Sequence, residues 1–174
     1  MVRRIVQAAF VCLACAGIVA AQSAGGSRPA AQSPLERAGF LLGEWTTHDE
    51  TELGHADAVS SFASDLDRHV VIRRSSTKFT SGRNAGTGHD DLLILYVQDS
   101  RLRAVYFDSE GHTIQYSVSF PSPNTALFES DPGQPGPRYR LTHRVTGSKM
   151  ETKFEIALPG TGFHTHVSST STRK

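Results

Sequence analysis

The sequence predicts an all-β fold: a ten-strand antiparallel up-and-down barrel behind a short N-terminal helical turn. Three observations carry that expectation. From Gly43 onward, runs rich in Val, Ile, Thr, Phe and Tyr recur about every ten residues, separated by Gly, Pro, Asp, Asn and Ser. No segment sustains the 3.6-residue apolar period of a long helix. The links are short, so strands should pair in chain order, and closure into a barrel leaves no open edge. A sandwich is the second architecture that such spacing permits.

The chain has 174 residues, with 38% hydrophobic and 20% charged residues and a net charge of +1. That length suits one domain. The composition excludes a disordered or collagen-like chain, and the balanced charge argues against nucleic acid as the main partner. Met1-Val2-Arg3-Arg4 is a positive start, residues 5–21 are apolar apart from Gln7, and Val19-Ala20-Ala21 offers small residues for cleavage after Ala21. Residues 1–21 therefore read as a secretory signal peptide, with the mature protein periplasmic or extracellular. The apolar run is shorter than the ~20 residues that span a bilayer, so no transmembrane anchor is expected after cleavage. Lipidation at Cys15 would need Leu where Cys12 stands. Both cysteines fall in the leader, so disulfide and thiol chemistry are not expected of the mature chain. Loss of Arg3 and Arg4 leaves 16 basic residues, two fewer than the 18 of the whole chain, against 17 acidic ones.

Residues 22–33 are rich in Ala, Ser, Gly and Gln and read as a flexible tether. Residues 34–42 should form one or two helical turns, with Ser33 as N-cap and Pro34 at the first helical position. The barrel domain is expected over 34–174, with strands near 44–52, 57–66, 68–79, 91–98, 101–108, 112–120, 125–131, 137–146, 149–158 and 163–172.

Turn chemistry sets registers. Gly111 in the left-handed position of the 108–112 loop puts Tyr106 opposite Ile114, Ala104 opposite Tyr116 and Leu102 opposite Val118. A two-residue turn at Gly147-Ser148 puts Val145 opposite Met150, Leu141 opposite Phe154 and Tyr139 opposite Ile156. The other face then sets Arg144 against Glu151 and Arg140 against Glu155, and a one-residue slip would turn the apolar set outward. After the 159–162 link, Phe163, Thr165 and Val167 should face inward, with His164 and His166 outward and His166 opposite Glu155. A turn at Asp99-Ser100 sets Val97, Leu95, Leu93 and Asp91 opposite Leu102, Ala104, Tyr106 and Asp108. The outer face there is also apolar, at Leu92, Ile94, Val105 and Phe107. Such a stripe needs a cover, from Phe40, Leu41 and Leu42 or from a second subunit.

Polar groups on inward faces are the candidates for chemistry. Asp91, Asp108 and His112 should meet at one barrel rim, where two carboxylates and an imidazole suit a metal or acid–base work, or a hydrogen-bonded plug. His143 should lie among Tyr139, Leu141 and Val145. The His164/His166 pair has the spacing of a metal or haem ligand set, but its outward register argues against that role. The Gly-rich stretch 81–88 lacks the Lys-Ser/Thr of a phosphate loop and reads as a flexible loop. After residue 21 there is no Gly-x-Ser-x-Gly, His-Glu-x-x-His or Cys-x-x-Cys. The reading therefore leans away from an enzyme, and no motif identifies a cofactor.

Gly43-Glu44-Trp45, at the start of the first strand, resembles the Gly-x-Trp signature of lipocalins and the wider calycin barrels. The resemblance implies that the Trp closes the barrel floor and that an Arg late in the last strands packs across it; Arg173 is the late candidate. Residues 35–174 are similar to a family of secreted bacterial lipocalin-like proteins of unknown function. The segments that carry this are 40–45 (Phe-Leu-Leu-Gly-Glu-Trp), 91–96, 104–112 and 153–157. It implies a ten-strand barrel and no assigned activity.

The leading functional expectation is a secreted protein holding a small, largely apolar molecule in the barrel. Trp45, Leu95, Tyr106, Tyr116, Tyr139, Leu141, His143 and Phe154 are its candidate lining. The alternatives are a protein–protein module or homodimer through Leu92, Ile94, Val105 and Phe107, and a metal or acid–base site at Asp91, Asp108 and His112.

Overall fold

The computed structural model describes residues 33–51, 54–131, 133 and 136–174. The expected signal peptide and all of the expected tether but Ser33 lie outside the described residues. A 3-10 helix, Pro34–Leu41, leads into strands β1 (Gly43–Thr51), β2 (Gly54–Asp65), β3 (Val70–Phe79), β4 (Gly88–Gln98) and β5 (Arg101–Asp108). There follow β6 (Thr113–Ser122), β7 (Thr125–Ser130), β8 (Arg138–Thr146), β9 (Lys149–Ala157) and β10 (His164–Arg173). Each strand pairs antiparallel with its chain neighbours, and β1 pairs with β10 to close the barrel. Odd-numbered strands run from the end that carries the 3-10 helix, the floor, toward the mouth. Among the described residues no helix is long and apolar enough to cross a membrane.

Local chemistry explains the elements. The Ser33 side chain accepts from the Leu35 N–H at 3.3 Å, and Pro34 starts the helix where its missing N–H costs nothing. Leu35, Ala38 and Leu41 are buried on one core with Trp45, Phe62, Leu93, Leu95, Tyr116 and Phe128. The helix is thus a plug for the floor. Phe40 and Leu42 pack against that same core, and Phe40 meets Phe120 edge-on. The outer stripe is therefore not covered by Phe40, Leu41 and Leu42. Leu92, Ile94 and Val105 are half-buried and Phe107 is exposed.

The three registers set by turn residues hold. Tyr106 pairs with Ile114 and Ala104 with Tyr116; Leu141 with Phe154 and Tyr139 with Ile156; Leu95 with Ala104 and Asp91 with Asp108. Gly111 and Gly147 have positive φ, as do Asp99 and Ser100 in their two-residue turn.

The last strand departs from expectation. A bulge between Thr165 and Val167 sets His164 opposite Ile156, Thr165 opposite Glu155 and Val167 opposite Phe154. One extra residue reverses the alternation beyond it. Thr165, not His166, thus stands across from Glu155 on the outer face, and His164 falls on the inward phase. Phe163 lies outside, under the guanidinium groups of Arg138 and Arg140, 5.1 and 4.2 Å from its ring centre. Two cation–π contacts favour that position over the lumen. Val167 keeps its inward phase but is 47% exposed near the mouth.

Candidate ligand-binding lumen

All eight expected lining residues lie on the inward phase of their strands, but at two levels. Trp45, Leu95, Tyr116, Leu141 and His143 are buried in the lower barrel. Tyr106, Tyr139 and Phe154 are half-buried and nearer the mouth. Tyr139 and Phe154 stack in parallel, with ring centres 6.0 Å apart.

The floor is closed by side chains that satisfy one another. Trp45 Nε1 donates to the Leu41 carbonyl at 2.9 Å. The Arg173 guanidinium lies over the Trp45 ring, 4.2 Å from its centre, and donates to the carbonyls of Phe40 and Leu42. Gly43 has φ +124°, and a Cβ there would sit 3.1 Å from Arg173 Nη1. Its missing side chain makes room for that arginine, which is the physical content of a glycine two residues before the tryptophan.

Above the floor the lumen turns polar. Arg73 stands on β3 between Phe62 and Leu93, on the inward phase with Val71 and Ser75. Its Nη2 donates to Asp91 Oδ2 at 2.9 Å, and both side chains are largely buried. The sequence reading missed Arg73, because the long 80–87 link left the β3–β4 register unset. The alternation Val71, Arg73, Ser75 is the signal that could have found it. Burial pushes the Asp91 carboxyl up, and the Arg73 charge offsets this only in part.

His143 donates or accepts at Nδ1 with Thr152 Oγ1 at 2.9 Å, and its ring meets Phe62 and Phe128 edge-on. Burial, with Arg73 nearby, holds the imidazole well below its usual range, so it is neutral at pH 7. Burial and the Asp91 and Asp108 carboxylates push the Tyr106 phenol up, and its hydroxyl meets His89 Nε2 at 3.0 Å. Burial raises Tyr116 too. Among the described residues, three buried side-chain atoms lack a protein partner: Asp49 Oδ2, Asp91 Oδ1 and His143 Nε2. Asp49 shares the inward phase of Trp45 and Thr47, so all three belong to inward-facing residues.

The rim cluster is placed together but divided in its bonding. Asp91 turns to Arg73. Asp108 accepts from the N–H groups of Glu110 and His112 at 3.0 and 2.9 Å, and from His112 Nδ1 at 2.9 Å. Burial pushes the Asp108 carboxyl up, but those bonds together outweigh it and hold it below its usual value. Asp108 and His112 thus build their own turn. Among the described residues, the His/Asp/Glu group with metal-site spacing is a different one: His48, His55 and Asp57, which the sequence reading did not single out.

A groove of about 510 Å³ lies between the 3-10 helix and the β6–β7 hairpin, lined in part by Arg37, Phe40, Phe120 and Pro121. Together these features define a closed antiparallel barrel with a plugged floor and polar groups among its inward-facing side chains, lipocalin-like in architecture. No protein-family model matches the chain, and no curated protein matches it.

Proposed function

We propose that the protein is exported, belongs with the lipocalin-like binding proteins, and holds a small, largely apolar molecule with a polar head in its lumen. The single observation that supports this most is the set of unpartnered atoms. Leaving a buried polar atom unbonded costs about 1–3 kcal/mol, and all three such atoms among the described residues belong to inward-facing residues. A ligand head group that bonds Asp91 Oδ1 and His143 Nε2 would relieve that cost. The Tyr139–Phe154 stack offers the apolar body a wall.

The test is titration with N-phenyl-1-naphthylamine, an apolar dye that carries one N–H donor and no charge, read by fluorescence. Saturable binding that weakens about tenfold in Arg73→Met and in Phe154→Ala supports the reading. Binding unchanged by both but lost in Phe120→Ala would move the site to the outer groove and overturn it.

A second reading has its own observation. Ile72, Ile94 and Val105 are consecutive cross-strand partners on the outside of β3, β4 and β5, beside Leu92 and Phe107. This row suits a homodimer. Light scattering of the wild type and Ile94→Lys decides: a monomer in both argues against it.

A further inference from the structure

We propose a second site, a divalent transition-metal site, on the outer face of the β1–β2 ribbon, formed by His48, His55 and Asp57. Its geometry follows from register. Trp45, Thr47 and Asp49 point inward, so His48 points out. Asp57 is its direct partner on β2, and His55 lies two residues earlier on the same face. The ladder beneath them runs without a bulge from Gly43–Phe62 to Thr51–Gly54, so the three side chains stand on a regular frame.

One donor atom from each residue lies within 4.8 Å of the others. Asp57 Oδ1 is already a common centre, 2.6 Å from His48 Nδ1 and 3.3 Å from His55 Nε2. Metal–nitrogen bonds of about 2.0–2.1 Å place tetrahedral donors roughly 3.3 Å apart. Small rotamer changes therefore suffice to enclose an ion. Two imidazoles and one carboxylate form a borderline nitrogen/oxygen set, which suits Zn²⁺, Cu²⁺ or Ni²⁺ rather than Ca²⁺ or Mg²⁺. The His48 side chain is 70% exposed, so water completes the coordination. Lys78 stands across from Asp57 on β3 and is the cation that a bound ion must tolerate. The site faces away from the lumen and does not depend on the proposed ligand.

The test uses the full chain with Cys12→Ser and Cys15→Ser in every sample, because those leader thiols would themselves bind zinc. Calorimetric titration with ZnCl₂ should give one ion per chain. Affinity should fall at least tenfold in His48→Gln and in Asp57→Asn, and should hold in His164→Gln/His166→Gln. With Cu²⁺, electron paramagnetic resonance should show coupling to two nitrogens, lost in His48→Gln/His55→Gln. These positions are on an outer face, and unchanged circular dichroism will confirm that the variants fold. No binding at millimolar zinc, unchanged binding in the His48/His55 double variant, or loss in the His164/His166 variant would each overturn the site.

Discussion

The floor and the lumen of this barrel meet water exclusion in opposite ways. At the floor, Trp45 is fully buried, its N–H reaches the Leu41 carbonyl, and Arg173 covers the ring while capping the carbonyls of Phe40 and Leu42. Each of those polar groups ends on a protein partner. In the lumen, Arg73 and Asp91 form a buried ion pair, yet Asp91 Oδ1 and His143 Nε2 are left without one. Low dielectric makes satisfied bonds strong and unsatisfied ones costly. The floor's polar groups are thus closed on one another, while the interior above it holds two buried polar atoms with no protein partner.

Breaking the floor at its centre gives one of the largest expected effects. Trp45→Ala removes a fully buried indole and should cost about 3–5 kcal/mol, read as a lower urea midpoint. Arg173→Met keeps the stem over the ring but removes the charged hydrogen bonds, and should cost about 1–3 kcal/mol. If Arg173→Met matched the wild type, the floor would be held by packing alone.

The lumen should respond differently, because its ion pair is replaceable. Arg73→Met should cost about 3–5 kcal/mol at pH 7, since it leaves a buried carboxylate alone. Arg73→Met/Asp91→Leu should recover most of that loss, because an apolar pair of similar volume often matches a buried ion pair. Urea denaturation of the three proteins checks this. A double variant as unstable as Arg73→Met would show that the pair is a structural keystone, and the contrast with the floor would fail.

How legible these two regions were in the sequence differs for the same physical reason. Short turns fix register, and register fixes facing. The Asp99-Ser100, Gly111 and Gly147 turns therefore placed Leu95, Tyr106, Tyr139 and Phe154 correctly. Arg173 over Trp45 was legible only through resemblance, since the β1–β10 closure joins the two ends of the barrel. Arg73 was hidden behind a link too long to set register. The bulge near His166 was hidden because nothing in the alternation of residues 163–167 marks an inserted residue. His48, His55 and Asp57 were missed although β1 and β2 are neighbours; residues 51–56 carry no short turn signal of the kind that registered the other hairpins.

The smallest effect sharpens the contrast by its sign. Asp91, inside, has a carboxyl raised by burial, so the folded chain favours its ionised form less than the unfolded chain does. Its contribution is present in acid and is lost as the pH rises through its raised value. Glu155, on the outer face but equally buried beneath Arg140 and Lys153, is the reverse. Hydrogen bonds from Arg140 at 2.7 Å and from Lys153 hold its carboxyl down to about 2, from an ordinary 4.5. Its contribution is present above pH 4.5 and is lost as the pH falls toward 2. Glu155→Gln should therefore flatten the acid limb of stability, by at most ~1.4 kcal/mol per pH unit, the slope for one proton. At pH 7 the loss should stay within about 1 kcal/mol, because Arg140 is partly exposed and screened. Asp91→Asn should leave the acid limb alone and lessen the decline at higher pH. Thermal melts from pH 2 to 8 on the two variants separate inner from outer carboxylate. Both side chains are only 6% exposed, so if both variants altered the same limb, the Arg73 charge would outweigh burial at Asp91.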